Sequence, residues 1–169
     1  MAELASRERL QPSLLDRLTD DAPERRRESL DQQTLSMQQL RRAVLRDLAW
    51  LLNTTNLVAS DELDGAPLAA KSTINFGIPS FAGLIGTERK LGNLETGIAD
   101  AIRAFEPRIR ADSLKVSLRP LEDGETSTAI TFEIQGELWA QPVPQQLFLE
   151  TMIEIETRMA VVTDAKARG

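Results

Sequence analysis

The stretch Ile98–Ser113, which reads IADAIRAFEPRIRADS, marks the point where a helical pattern gives way to a strand pattern. Apolar residues recur at spacings of three and four up to Phe105, which predicts a helix. Pro107 disfavours helical geometry at the preceding residue, so the helix is expected to end at Glu106. With Arg108 following, the corner carries a carboxylate, a rigid ring and a guanidinium side by side.

After this corner, three segments alternate between apolar and polar residues, at 114–118, 130–138 and 147–155. A period of two over short runs is typical of strands with one buried face. The segments therefore predict an antiparallel β-meander whose apolar face is covered by helices. On the opposite face of the last segment, Glu150 and Glu154 either prevent edge-to-edge aggregation or form an acidic strip for a basic partner.

A second long helix is predicted before the corner. Ser36 and Gln39 have the spacing of a capping box, and the apolar residues that follow have helical spacing as far as Asn53. Residues 54–86 are rich in turn formers, with one short strand predicted at Ser72–Phe76. The fold class expected from these patterns is α+β, with two main helices packed on one face of a small antiparallel β-meander.

Residues 1–35 are predicted to form an extended N-terminal arm and linker, because most of this segment is polar and it is interrupted by proline. Within the arm, Ser13 can start a helical turn that places Leu14, Leu15 and Leu18 on one side. These leucines either pack on the chain's own domain or dock on a partner as a short linear motif.

The length of 169 residues suits one domain, which we place at 36–157, followed by a flexible tail at 158–169. The chain has 26 acidic and 20 basic residues, a net charge of −6, so no basic face for nucleic acid is expected. Cysteine and histidine are absent, and we expect no cofactor and no metal site. With no signal-peptide pattern and no run of about 18 apolar residues, we expect a cytoplasmic protein without direct membrane insertion.

Carboxylates are the plentiful acid–base groups, but their arrangement does not favour catalysis. Glu133 and Glu137 share a strand face about 13 Å apart, which is too far for the paired carboxylates of a glycosidase. A cation at Arg108 favours an ionised Glu106, whereas a general acid must hold a proton. Two interpretations of the corner stay open: a helix terminator with a surface ion pair, or a clamp for another chain.

Five segments in order carry a resemblance to a known family. They are Leu-x-Pro-Ser-Leu-Leu-Asp-Arg-Leu at 10–18, Arg-Asp-Leu-x-Trp-Leu-Leu-Asn at 46–53, Asn-Phe-Gly-Ile-Pro at 75–79, Phe-Glu-Pro-Arg-Ile at 105–109 and Phe-Glu-Ile-x-Gly-Glu-Leu-Trp at 132–139. Together they resemble the TssE family of type VI secretion baseplate subunits, which is related to phage baseplate wedge proteins sometimes called lysozyme-like. Phe76 stands where that family usually has tyrosine.

The resemblance implies a structural component and not an enzyme, located with TssF and TssG in a baseplate at the inner face of the cytoplasmic membrane. It implies a fold like the strand-exchanging domain of the contractile sheath, and hence a docking layer for sheath subunits. It also implies wedge contacts at Glu106, Pro107 and Arg108, with the segment at 10–18 as a candidate anchor. The alternatives are a phage-tail baseplate wedge protein and a peptidoglycan-cleaving enzyme.

Overall fold

A computed structural model of the chain describes residues 13–19, 24, 36–57, 63, 65–80, 88–119, 129–139, 145–154 and 159–164. The elements, in order, are α1 (Leu14–Leu18), α2 (Met37–Leu52), α3 (Pro67–Ala70), α4 (Glu88–Phe105), β1 (Lys115–Leu118), β2 (Ala129–Leu138), β3 (Gln145–Glu154) and β4 (Ala160–Asp164). Most of the predicted arm at 1–35 lies outside the described residues, as does the end of the predicted tail.

The four strands form one sheet in the order β1-β2-β3-β4, and each neighbouring pair is antiparallel. This topology confirms the predicted α+β fold and its meander. β4 corrects the prediction of a flexible tail at 158–169, because its residues pair with Leu149–Ile153 of β3. The segment was misjudged because it is short and buries little beyond Ala160, so its own apolar alternation is weak.

The added strand changes which parts of the sheet are edges. Among the strands that the structure describes, β3 is internal, and β1 and β4 are the outer ones. Glu150 was expected on an edge strand, but it lies between Glu133 of β2 and Thr163 of β4. An edge-protecting role for Glu150 is therefore wrong, since a residue paired on both sides offers no free backbone groups. Glu154 is paired with Ala129 of β2, beyond the end of the β3–β4 pairing.

Both long helices cover the same face of the sheet. α2 lies against β4, α4 lies against β1, and the two helices contact each other. The buried side chains that form the core between the layers come from α2, α4, β2, β3 and their connections; they include Val44, Leu48, Ile98, Ile102, Phe132, Ile134, Leu147 and Leu149. The sequence patterns predicted this arrangement correctly, because each helix has one apolar stripe and each strand one apolar face.

Polar contacts fix α2 at both of its ends. At the start, Ser36 and Gln39 form the predicted capping box, with the Gln39 N–H donating to Ser36 Oγ at 3.2 Å. At the end, the Asn53 side chain exchanges two hydrogen bonds of 2.9 Å with the backbone of Ala160. Arg41 also forms an ion pair with Asp164, so α2 is anchored along the length of β4.

The segment before α4 is a turn where a strand was predicted. Residues Thr73–Asn75 form a 3-10 turn, because Ser72 Oγ accepts a hydrogen bond from the backbone of Ile74 and offers an alternative to strand pairing. Gly77 then adopts φ +127°, a region that favours glycine. This conformation brings the Ile78 N–H to the carbonyl of Thr54 at 2.8 Å, which ties the loop to the end of α2.

A candidate partner-binding corner

The corner after α4 is anchored to the end of β2 by backbone hydrogen bonds. The Trp139 N–H donates to the Arg108 carbonyl at 2.7 Å, and the Arg110 N–H donates to the Glu137 carbonyl at 2.9 Å. Gly136 leaves the space that Ile109 occupies, since a Cβ at Gly136 would lie 2.9 Å from Ile109 Cγ2. The position of the Glu106–Arg108 motif is therefore determined by β2 as well as by the end of α4.

Glu106 is buried, with 3% of its surface exposed, and it accepts three hydrogen bonds from Arg108. Glu106 Oε1 accepts from the Arg108 N–H at 3.1 Å and from its Nε at 2.7 Å, and Oε2 accepts from Nη2. Nη2 also donates to Asp47 Oδ2 on α2 at 2.5 Å. Burial by itself lowers the pKa of Arg108, but the hydrogen bonds and charges of Glu106 and Asp47 outweigh it and raise that pKa. The guanidinium is thus permanently charged and joins the end of α4 to α2.

The ionic contacts continue from α2 to the N-terminal arm. Arg46 Nε donates to Asp47 Oδ1 at 2.9 Å, and Arg46 Nη1 donates to Asp16 Oδ1 of α1 at 2.6 Å. We call Glu106, Arg108, Asp47, Arg46 and Asp16 the corner network. It links three helices that are far apart in the sequence, and α1 is tied to the domain at its outer end.

Sequence reasoning found only part of this network. It placed Glu106 and Arg108 together, but it expected either a surface pair or a clamp aimed at another chain. The structure shows instead that the two side chains bind each other and that Arg108 also binds Asp47. Asp47, Arg46 and Asp16 were missed as site residues. The available signal was the adjacent Arg46 and Asp47 in the polar face of the second predicted helix.

The segments that carried the family resemblance meet around this corner. Phe76 packs edge-on against Phe105, with ring centroids 5.3 Å apart. Pro79 packs against α4 at Gly97, where a Cβ would lie 2.6 Å from the proline ring. With the backbone contacts of Arg108 and the network through Asp47 and Asp16, all five segments contribute to one region.

The corner network is bordered by exposed apolar side chains. Leu14 and Leu18 of α1 are 71% and 74% exposed, and Leu15 is also exposed. Trp50 is exposed on α2, with its ring centroid 5.1 Å from the Arg46 guanidinium carbon. Trp139, next to the corner backbone, is exposed as well. Exposed aromatic and leucine side chains gathered around a rigid ionic centre are typical of protein interaction surfaces.

The remaining predicted site residues, Glu150 and Glu154, lie on β3. Glu150 accepts a hydrogen bond of 2.9 Å from Arg119 Nη1, and Glu133 lies directly opposite it on β2. Sequence reasoning missed this cross-strand pair because it compared carboxylates only along one strand. Glu154 lies at the end of β3, opposite Ala129. The Glu150 side chain is therefore separated by the sheet from the helices that carry the corner network.

The residues that the structure describes form neither a metal-binding cluster nor a membrane-spanning helix. Within them, no group of three or more acidic residues is placed to hold a metal ion. No helix in that part of the chain is both long enough and apolar enough to cross a bilayer.

Comparison with known proteins identifies the family. The profile of the family described as Baseplate wedge protein gp25 matches residues 38–143, a span that runs from α2 through the corner to the end of β2 and beyond. Because this match covers more than half of the chain, the protein belongs to that baseplate wedge family. No match was found among curated proteins.

Solved structures provide two similar chains. One is named as a candidate tail lysozyme from Geobacter sulfurreducens; it is 16% identical, with a TM-score of 0.44, covering 69% of this chain and 94% of that one. The other belongs to the baseplate complex from the type VI secretion system; it is 19% identical, with a TM-score of 0.45, covering 68% and 94%.

Proposed function

We propose that the chain is a structural subunit of a type VI secretion baseplate, assembled at the inner face of the cytoplasmic membrane. The observation that supports this most is the corner inside the family-matched span. Its buried carboxylate, Glu106, accepts hydrogen bonds from Arg108, and Arg108 also donates to Asp47, so the guanidinium joins the end of α4 to α2. Such a rigid corner suits a part of an assembly.

The corner contacts the wedge subunits TssF and TssG through the exposed residues that surround it. Pro107 is exposed at the turn, and Trp139 and Trp50 flank the network. Leu14, Leu15 and Leu18 would provide an anchor in the same assembly, because apolar side chains that their own domain leaves uncovered favour burial against another chain. Glu106 and Arg108 set the shape of this surface, and their contribution to binding is to hold it in place.

The sheet offers a second contact, to the contractile sheath. β1 and β4 are the outer strands, and an outer strand can pair with an extended segment of another chain through its backbone groups. Docking of sheath subunits at such a strand would make this protein the layer from which the sheath polymerises. Glu150 and Glu154, on the adjacent β3, would then form an acidic strip beside the docked segment.

Co-purification with TssF and TssG tests the proposal. Arg108→Ala and Glu106→Ala should leave a folded monomer but reduce recovery of the two wedge subunits, because the corner loses its rigidity. Arg110→Ala is a matched control, since Arg110 forms an exposed pair with Asp112 two residues away. Equal recovery for all variants and the unmodified chain would contradict the proposed role of the corner.

The two alternatives make different predictions. A peptidoglycan-cleaving enzyme requires turnover of purified cell wall, and robust activity that is lost in Glu106→Gln would overturn the structural proposal. The cross-strand pair of Glu133 and Glu150 needs the same assay with Glu133→Gln, because directly opposed residues lie about 5 Å apart, a separation that retaining glycosidases use. A phage-tail wedge protein would be recognised from its neighbouring genes.

A further inference from the structure

The short helix α1 is attached to the domain in an unusual orientation. A short amphipathic helix usually buries its apolar side, but here Leu14 and Leu18 face outward. The contact that joins α1 to α2 is the ion pair between Asp16 and Arg46, with Asp16 also bonded to Ser13 Oγ at 2.6 Å. Among the described residues, a polar contact therefore ties α1 to α2 while Leu14 and Leu18 stay exposed.

The two arginines of the corner network differ in how firmly they are held. Arg108 is 22% exposed and faces the buried carboxylate of Glu106. Arg46 is 36% exposed and Asp16 is 15% exposed, and their contact lies at the outer end of the network. Because the guanidinium reaches solvent, we expect this pair to change the ratio of bound to released states by a factor of about five or less, so Asp16 can exchange.

We propose that α1 is a releasable latch, in which Asp16 occupies the Arg46 guanidinium of the free protein and leaves when a partner's carboxylate takes its place. The surface around Arg46, with the Trp50 ring beside it, is then a site for an acidic side chain of a partner protein. Asp16 occupies this site in the free protein, which shows that a carboxylate fits it. Release frees α1 to carry its leucines to the same partner.

This inference deepens the proposed function, because the partner would be a wedge subunit. It assigns the exchangeable contact to Arg46 and not to Arg108, whose carboxylates belong to its own domain. The latch in the free protein can be tested without any partner.

The absence of cysteine makes a single spin label possible. With a nitroxide on Leu18→Cys, the ratio of immobile to mobile label in low salt should fall by up to about fivefold in Asp16→Asn and in Arg46→Gln. High salt should have the same effect on the labelled chain that carries Leu18→Cys alone. Asp100→Asn, which breaks an exposed ion pair on α4, is the control and should change nothing. If the label is as immobile in Asp16→Asn as in the chain that carries Leu18→Cys alone, the latch is overturned.

Binding to the wedge subunits provides a second measurement. Asp16→Asn removes the internal competitor, so its affinity should rise by up to about fivefold, whereas Arg46→Gln should lower the affinity by a similar factor. If both variants weaken binding, α1 binds while docked and the latch is overturned. If the unmodified chain binds no wedge subunit, the proposed function fails, and the spin-label result still decides the latch.

Discussion

The substitution Glu106→Gln tests whether the corner network stabilises the fold. Glutamine keeps the size of the side chain and one acceptor oxygen, so the hydrogen bonds from the Arg108 backbone and Nε can survive. Its amide group, however, places N–H donors against Arg108 Nη2, where the carboxylate accepted a bond. Arg108 would keep Asp47 as its remaining counter-ion.

The magnitude follows from the burial of the two partners. Breaking a fully buried pair costs about 3–5 kcal/mol, whereas an exposed pair contributes about 0–1 kcal/mol. Glu106 is buried, but Arg108 reaches solvent and retains Asp47. We therefore expect a loss of about 2 kcal/mol in the free energy of unfolding, which for a chain of this size lowers Tm by about 4–8 °C.

Urea unfolding followed by circular dichroism at 25 °C measures this loss. Asp112→Asn is the matched control, because Arg110 and Asp112 are also two residues apart but exposed, and its midpoint should not change. A loss for Glu106→Gln below about 0.5 kcal/mol, no larger than that of a surface substitution, would refute the argument. Asp47→Asn should also be more destabilising in the Glu106→Gln background than alone, since both carboxylates neutralise the same guanidinium.

Four further outcomes are expected. Thr151→Val should raise the free energy of unfolding by about 1 kcal/mol, because its buried hydroxyl has no hydrogen-bond partner among the described residues; a lower urea midpoint would reveal one. Gly77→Ala should lower it by at least about 2 kcal/mol, since φ is +127° and a Cβ would lie 2.4 Å from the Thr54 oxygen; an unchanged calorimetric Tm would contradict the strain. Deleting residues 1–20 should change Tm by no more than about 4 °C, and a larger drop would show that the arm packs on the core. Burial alone would raise the pKa of Asp16, but the neighbouring guanidinium and hydroxyl lower it, so docking of α1 should persist above pH 3.8 and be lost as the pH falls below it; a spin label that stays immobile in acid would refute this.

Local patterns in the sequence were sufficient for most of the fold. The apolar stripes of α2 and α4 and the alternation in β1 to β3 depend on residues close in the chain, and each predicted the buried face correctly. The capping box at Ser36 is equally local. The strand predicted at Ser72–Phe76 was wrong, because a serine hydroxyl bonded to nearby backbone and produced a turn.

The arrangement of the corner depended on contacts between distant parts of the chain. The sequence by itself determined that Glu106 and Arg108 stand beside a helix end, because proline restricts its predecessor. Only the tertiary structure decided that their charges face inward, since Asp47 lies 61 residues from Arg108 and Asp16 lies 30 from Arg46. Likewise, β4 became a strand because β3 offered it a partner. Periodicity reports which face of an element is buried, whereas the partner of a charge or a strand edge depends on how the elements pack.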